Sequence, residues 1–296
     1  MARSPFFYVG DKYKLTEQFK IIFPEHIGRL IEPFCGGGSV FLNIKADSYL
    51  ANDNNEWMIK LHKFLYSHRN KKELFIKTLE NLIIEYGFSA SALGISVDKA
   101  LKIKYPKTHY AVFNKESYKR LKADFNSNQT DLFRLYLLLI FGFNHMLRFN
   151  NSGEFNLPVG DVDYNKNVKS ALESYFEFVK NNNIKFYCCD FEVFMKKQQL
   201  TDEDLIYIDP PYLISNSEYN KYWTEAEEKR LLQLIDRLND CGIKFALSNV
   251  LFHKGNENKL LSEWSKKYKV YDIKANYISY HDNSIKNSKE VLITNF

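Results

Sequence analysis

The sequence predicts an α/β fold in which a sheet of βα units carries an inserted, mainly helical segment. Three observations predict it. The apolar run Arg29-Leu30-Ile31-Glu32-Pro33-Phe34 breaks into the glycine turn Cys35-Gly36-Gly37-Gly38-Ser39. A second apolar run ends at Asn52-Asp53-Asn54-Asn55. Short apolar runs then resume near Ile184, after a long stretch of helical periodicity. Short apolar runs bounded by turn residues read as strands, and strands alternating with helical rhythm read as βα units.

Each element follows from its own pattern. After the glycine turn, Val40-Phe41-Leu42-Asn43 has helical spacing and is expected to open a helix. The second strand is Ser48-Tyr49-Leu50-Ala51, and Trp57, Ile59, Leu61, Phe64 and Leu65 then recur as one helix face. Residues 72 to 142 read as helices, with Phe75, Leu79, Leu82 and Ile83 on one face and a dense aliphatic helix from Asp131 to Phe141. Turn-rich segments, Asn150 to Glu154 and Leu157 to Gly160, precede a helix near Ser170 to Asn181. Strands are expected at Ile184 to Tyr187, Leu205 to Ile208, Lys244 to Ser248, Val270 to Ile273 and Val291 to Phe296, with an amphipathic helix from Thr224 to Asp240. A βα step needs roughly 30 to 40 residues, so the gap from Asp53 to Ile184 holds on the order of 100 too many. The excess is read as a helical subdomain.

Composition narrows the function classes. With 45% hydrophobic and 26% charged residues among 296, the chain buries a sizeable core, which excludes general disorder. The longest apolar run, Leu135 to Phe143, is far short of the ~20 residues that span a bilayer. The start lacks a secretory pattern, so a soluble cytoplasmic protein with no membrane partner is expected. The four cysteines form no C-x-x-C pair, and no metal is expected. The net charge of +5 is mild but unevenly spread. Lys99, Lys102, Lys104, Lys107, Lys115, Lys119, Arg120, Lys122, Arg134 and Arg148 face only Asp98, Glu116, Asp124 and Asp131. Such a stretch is either a phosphate-facing surface or a solvated helix face.

Two segments carry chemistry. Glycines at a strand-to-helix turn lack the Cβ that would keep a ligand from the backbone. Asp53 lies 21 residues beyond Glu32 at the end of the second strand, where an acid can accept from both ribose hydroxyls. Together they read as an adenosine site, or as a purely structural turn. Consecutive glycines lack the G-x-G-x-x-G spacing and argue against NAD. The second segment is Asp209-Pro210-Pro211-Tyr212, which ends the apolar strand Asp204 to Ile208. Prolines cannot continue a sheet, so the chain turns at the carboxyl end of the strand, where open α/β sheets bind ligands. The turn offers a carboxylate, a Pro210 carbonyl and an aromatic face. Two acceptors on the N–H bonds of an exocyclic amine favour the pyramidal geometry in which its lone pair can attack, while the ring fixes the base plane.

These motifs resemble those of the Dam-like DNA adenine-N6 methyltransferases, particularly the phage branch, over nearly the whole chain. The likeness runs through Phe7-Tyr8-Val9-Gly10-Asp11-Lys12, Glu32 to Asn43, Gly142 to Asn150, Gly153 to Pro158, Asp209 to Tyr212, Tyr219-Asn220-Lys221-Tyr222-Trp223 and Leu247-Ser248-Asn249-Val250. It implies a Rossmann-like S-adenosylmethionine-dependent methyltransferase sheet formed by residues 1–55 and 160–296, with a mainly helical target-recognition domain at 56–159. It implies that Tyr8, Val9, Gly10, Lys12, Phe34, Cys35, Gly36, Gly37, Gly38 and Ser39 hold S-adenosylmethionine, with Asp53 on the ribose, Asp190 and Phe191 at the adenine, and Asp209 close by. Asp209, Pro210 and Pro211 would meet the target amine and Tyr212 would stack on a flipped base. Phe143 and Asn144 would enter the duplex, and Arg148 and Asn150 would belong to the recognition segment. Lys119, Arg120 and Lys122 would meet phosphates. Asp11 departs from a Gly-Gly-Lys start common in relatives.

The implied setting is site-specific methylation of duplex DNA by a monomer, within a restriction-modification system with a cognate endonuclease or in phage protection. Alternatives are a methylase of RNA or of a protein glutamine, and an inactive DNA-binding relative. The first commonly uses Asn-Pro-Pro-Tyr soon after the glycine loop; the second sits poorly with an intact Asp209 motif. A cytosine C5 methylase would need a nucleophile that neither Cys188 nor Cys241 supplies in the right context. Relatives that read GATC place an arginine after the segment matching Leu157 to Gly160, but here Asp161-Val162-Asp163-Tyr164 follows. Asp161 or Asp163 could accept from cytosine N4, which suits a CATG-like site and argues against GATC; both aspartates could equally shape the turn.

Overall fold

The computed structural model describes residues 1–214, 223–273 and 288–296. β1 (Arg29–Glu32), β2 (Ser48–Asn52), β3 (Ile184–Tyr187), β4 (Asp204–Ile208) and β5 (Lys244–His253) run parallel. β8 (Ser288–Thr294) is antiparallel to β5, and β7 (Lys269–Asp272) is antiparallel to β8. A short β6 (Asn256–Glu257) folds back on β5. The order across the sheet is β3-β2-β1-β4-β5-β8-β7.

Both faces are covered, so the strands are apolar on alternate residues in both directions. Leu30, Tyr49, Leu205, Tyr207 and Leu292 point into one core, whereas Ile31, Leu50, Ile206, Ile208, Val291 and Ile293 point into the other. The first core is closed by α1 (Thr16–Ile22), α2 (Glu56–Ser67), α3 (Lys72–Tyr86), α5 (His109–Ser127), α6 (Leu132–Phe141) and α7 (Lys166–Asn181). The second is closed by α8 (Phe191–Lys196), α9 (Glu225–Asp240) and α10 (Lys259–Trp264). The short α4 (Lys99–Lys104) buries no residue. Helix starts follow the capping residues: Asn55, Asp131, Asn165, Asp190 and Asn258 each accept from backbone N–H groups of the first turn.

The segment between β2 and β3 contains α2 to α7, and its main helices share the core of the first face. Helix α6 is apolar all round because Leu135 to Phe141 are all buried there. Among the described residues no helix is long and apolar enough to cross a membrane.

The structure corrects one expected element. Val40 to Asn43 form turns, not a helix, with Leu42 N–H donating to the Gly38 carbonyl and Asn43 N–H to that of Val40. The Asn43 amide caps the Ser39 carbonyl and reaches Ala2, which stops the helical ladder. The motif Tyr219 to Tyr222 lies outside the described residues.

Beyond α6 the chain doubles back as a ribbon. Phe143 N–H donates to the Pro158 carbonyl, and Gly160 N–H to that of Phe141. A Cβ on Gly160 would lie 2.7 Å from the Gly142 carbonyl oxygen, so only glycine allows the two backbones to approach. Gly160→Ala is therefore expected to lower unfolding free energy in urea by ~1 to 3 kcal/mol, as overpacking does. An unchanged urea midpoint would contradict this packing.

Candidate active site

Strand order reverses between β1 and β4, so the connections leaving their carboxyl ends diverge and leave a crevice. The Pro33 to Ser39 loop leaves β1 there, and Asp209 to Tyr212 leaves β4. Together with Tyr8 to Lys12, Asp53, Asp190, Phe191 and Trp223 they line a cleft of about 790 Å³.

The glycine loop is shaped by its own turn and by the protein around it. Gly36 and Gly38 have φ of +47° and +76°, in the left-handed region that suits glycine. A Cβ on Gly37, which lines the cleft, would sit 2.9 Å from Tyr8 Cβ, so this glycine also makes room for the N-terminal segment. Asp53 Oδ2 accepts from Gly36 N–H at 2.9 Å and Oδ1 from Asn55 N–H at 2.9 Å. Burial raises the Asp53 carboxyl above the usual range. Asn52, fully buried, bonds the Pro33 and Cys189 carbonyls and accepts from Cys189 N–H, tying together the chain ends beyond β1, β2 and β3. His62, also fully buried, is 2.9 Å from the Gly36 carbonyl through Nε2 and 2.8 Å from the Tyr175 hydroxyl through Nδ1. This pattern fits a neutral ring donating from Nε2 and accepting at Nδ1.

The N-terminal segment closes the crevice. Lys12, 5% exposed, pairs with Asp209 Oδ2 at 2.9 Å and donates to the Gly10 carbonyl. Its backbone N–H donates to Ser39 Oγ. A residue with a side chain fits at Asp11 because the positive φ falls on Gly10, while Asp11 Oδ1 accepts from Tyr13 N–H. Tyr212 donates its hydroxyl toward Asp209 Oδ1 at 3.0 Å and Glu290 Oε1 at 3.2 Å. Glu32 is buried beside this group; desolvation, then the Asp209 charge, push its carboxyl well above the usual range. Among the described residues Glu32 Oε1 and Asp11 Oδ2 have no hydrogen-bond partner.

The other end is aromatic. Phe34 lies 5.2 Å from Phe191 and 5.7 Å from Trp223, ring centre to ring centre. Asp190 caps α8 and pairs with Arg230, whose guanidinium lies over Phe191. Trp223 is held by Glu228, which also binds Asn249 and Asn258. Asn249 of the Leu247 to Val250 motif therefore anchors the cleft wall from beneath.

The predicted cofactor and catalytic residues thus converge, with Gly38 just behind the lining and Val9 and Cys35 in it. The predicted DNA residues are more scattered. Arg148 lines the cleft, but its guanidinium bonds Asn156, and Asn150 shapes its own turn through Ser152 and Glu154. Phe143, 51% exposed, and Asn144, with φ of +53°, stand at the surface and are not part of the lining. Lys119, Arg120 and Lys122 lie on α5; Arg120 bonds the Glu85 carbonyl and covers Tyr86. Asp163 is corrected: it is buried and its carboxylate accepts from Ser91, so it is not presented to a base edge. Asp161 is exposed and accepts from Ala111 N–H in the first turn of α5. Sequence reasoning missed Asn52, His62, Trp223 and Glu290 as site residues. The polar residue ending an otherwise apolar β2 signalled Asn52, and the motif that ends at Trp223 signalled Trp223.

The cleft suits S-adenosylmethionine. Its volume is in the range of small-molecule sites. The unpartnered Asp11 oxygen and the Asp53 and Asp190 carboxylates match a ligand rich in donors and positive charge, and Phe34, Phe191 and Trp223 match a planar base. Among the described residues no cluster of His, Cys, Asp and Glu could hold a metal.

Burial pushes His62 down to about 4 from its ordinary 6.5. The native state therefore binds fewer protons than the unfolded state between these values, and stability falls as pH drops from about 6.5 to about 4. Over that window wild type should lose on the order of 3 kcal/mol more than His62→Gln, measured by urea unfolding at each pH. Raised carboxyls such as Glu32 act in the opposite sense in both proteins and cancel in the comparison. Parallel pH profiles would contradict a neutral buried imidazole.

Comparison with known proteins agrees with this geometry. The family model described as D12 class N6 adenine-specific DNA methyltransferase matches residues 8–278. Type II methyltransferase M.FokI of Planomicrobium okeanokoites is 36% identical over 303 residues, covering 99% of this chain and 43% of its own length. Modification methylase StsI of Streptococcus sanguinis is 33% identical, with coverage of 99% and 43%. The DNA adenine methylase of Escherichia coli strain K12 is 27% identical, with coverage of 90% and 86%. This chain spans less than half the length of the first two relatives. With the match running from Tyr8 through the glycine loop and the Asp209 turn, the chain belongs to the D12 class N6 adenine-specific DNA methyltransferase family.

Proposed function

We propose that the chain is a site-specific DNA adenine-N6 methyltransferase that uses S-adenosylmethionine. The observation that carries this reading is the Asp209-Pro210-Pro211-Tyr212 turn, set at the reversal of strand order directly across the cleft from the glycine loop. When bound, the cofactor supplies an electrophilic methyl group. Tyr8 to Lys12 and Phe34 to Ser39 would hold it, with Asp53 at the ribose and Asp190 and Phe191 at its adenine.

An adenine inside a stacked pair is out of reach of such a cleft, so the target is flipped out. Asp209 and the Pro210 carbonyl accept from its amine, Lys12 keeps the carboxylate in place, and Tyr212 stacks on the ring. Residues 56–159 serve as the target-recognition domain, with Phe143 and Asn144 entering the duplex, Arg148 and Asn150 close to the target, and Lys119, Arg120 and Lys122 on the phosphates. No arginine stands directly after Gly160, where Asp161-Val162-Asp163-Tyr164 follows, which argues against GATC, and with Asp163 buried a cytosine contact would fall to Asp161. The chain acts as a monomer on duplex DNA within a restriction-modification system, alongside a cognate endonuclease. The names of its relatives support that setting, since one is a type II methyltransferase and another a modification methylase.

Asp209→Ala is expected to abolish transfer of labelled methyl from S-adenosylmethionine to plasmid DNA while the protein stays folded. A variant that kept a tenth of wild-type turnover would overturn the role of Asp209. Binding to duplex DNA should weaken by ~0.9 log units per log unit of salt for each phosphate contacted. Neutralising Lys119, Arg120 and Lys122 together should flatten that slope without altering sequence preference; an unchanged slope would make the cluster a solvated helix face.

A further inference from the structure

In the free chain both oxygens of Asp209 are already engaged. Oδ2 meets Lys12 Nζ at 2.9 Å, and Oδ1 lies 3.0 Å from the Tyr212 hydroxyl. Each oxygen keeps a second lone pair, so a target amine can bind, but it competes with the Tyr212 hydroxyl at Oδ1 and with Lys12 at Oδ2. Moving Lys12 off Asp209 would separate a buried ion pair, which is costly. Displacing Tyr212 is easier, because its hydroxyl has a second carboxylate within reach, Glu290 Oε1 at 3.2 Å. One phenolic proton serves one acceptor at a time, so the two carboxylates compete for it.

Glu290 is well placed for this role. It lies in β8, opposite Val250 of β5, and its carbonyl accepts from Ile273 N–H, so the backbone beneath it is fixed by neighbours on both sides. Its side chain is buried, with 9% of the residue exposed, and the Tyr212 hydroxyl is its hydrogen-bond partner among the described residues. We propose that Glu290 is a positioning residue that draws the Tyr212 hydroxyl off Asp209, freeing Oδ1 for the target amine and holding the Tyr212 ring as the stacking platform. The proposal rests on the amine-methylation reading for its catalytic consequence, but not for the Tyr212–Glu290 contact.

Removing the competing hydroxyl should make Glu290 dispensable, which gives the test. Methyl transfer to plasmid DNA is measured for wild type, Glu290→Leu, Glu290→Gln, Tyr212→Phe and Glu290→Leu combined with Tyr212→Phe. Glu290→Leu should lower kcat at least tenfold while KM for S-adenosylmethionine changes less than twofold. Glu290→Gln, which keeps an acceptor oxygen, should retain most of kcat, and whatever activity Tyr212→Phe has, Glu290→Leu added to it should not lower it further. The double variant should match Tyr212→Phe. Additive losses in the double variant, or full activity in Glu290→Leu, would overturn the proposal. A readout independent of turnover is the tyrosine 13Cζ resonance of Tyr212, assigned with Tyr212→Phe, in the free protein. It should shift in both Glu290 variants, and a resonance unmoved by either would overturn the proposal even if the leucine variant were poorly folded. If wild type transferred no methyl to DNA, the functional reading would fail while the resonance still decided whether Glu290 holds Tyr212.

Discussion

The buried ion pair between Lys12 and Asp209 is the contact on which the site depends. It joins the start of the chain to the carboxyl end of β4 and so closes the crevice left by the reversal of strand order. Breaking such a pair leaves one buried charge uncompensated, at a cost of several kcal/mol, so the N-terminal segment is pinned over the sheet. Once pinned, it dictates the glycine loop: Lys12 N–H donates to Ser39, and Ser4 and Tyr8 pack so close to Gly37 that no side chain fits there. Glycine loop, N-terminal segment and the Asp209 turn are therefore one construction.

Behind the cleft, buried polar groups each bind several chain ends at once. Asn52 joins the loops after β1 and β3, His62 ties the glycine loop to α7, and Glu228 gathers Trp223, Asn249 and Asn258. Groups of this kind carry a desolvation cost unless every partner is in place, which is why they fix a single geometry. The ribbon from Gly142 to Gly160 is built differently. Its packing is set by two glycines in backbone contact, and its outer turn, with left-handed Asn144 and His145, projects an exposed Phe143. The cleft is thus framed by tightly bonded chain ends, whereas the ribbon beside it stands exposed at its tip.

The alternation of apolar residues made the sheet legible in the sequence, because both faces are buried and each strand feeds two cores. The Asp209 turn was legible because two prolines after an apolar strand leave the chain only one course. Val40 to Asn43 had helical spacing without a helix, since the Asn43 side chain takes the carbonyl that the helix would need. Asp163 looked like a surface acid in a turn-rich stretch, but Ser91, far away in sequence, binds its carboxylate. The same limit hid His62 and Glu290. Their significance comes from partners brought near by the fold, and spacing along the chain carries no trace of them.

The proposed function makes one chemical outcome decisive: transfer of the methyl group to the exocyclic amine of adenine in DNA. Duplex DNA incubated with the chain and methyl-labelled S-adenosylmethionine, then digested to nucleosides and separated, identifies the modified base directly. The label is predicted to appear solely in N6-methyl-2′-deoxyadenosine. Label in a cytosine derivative, or in RNA or protein supplied alongside while the DNA stays unlabelled, would contradict it.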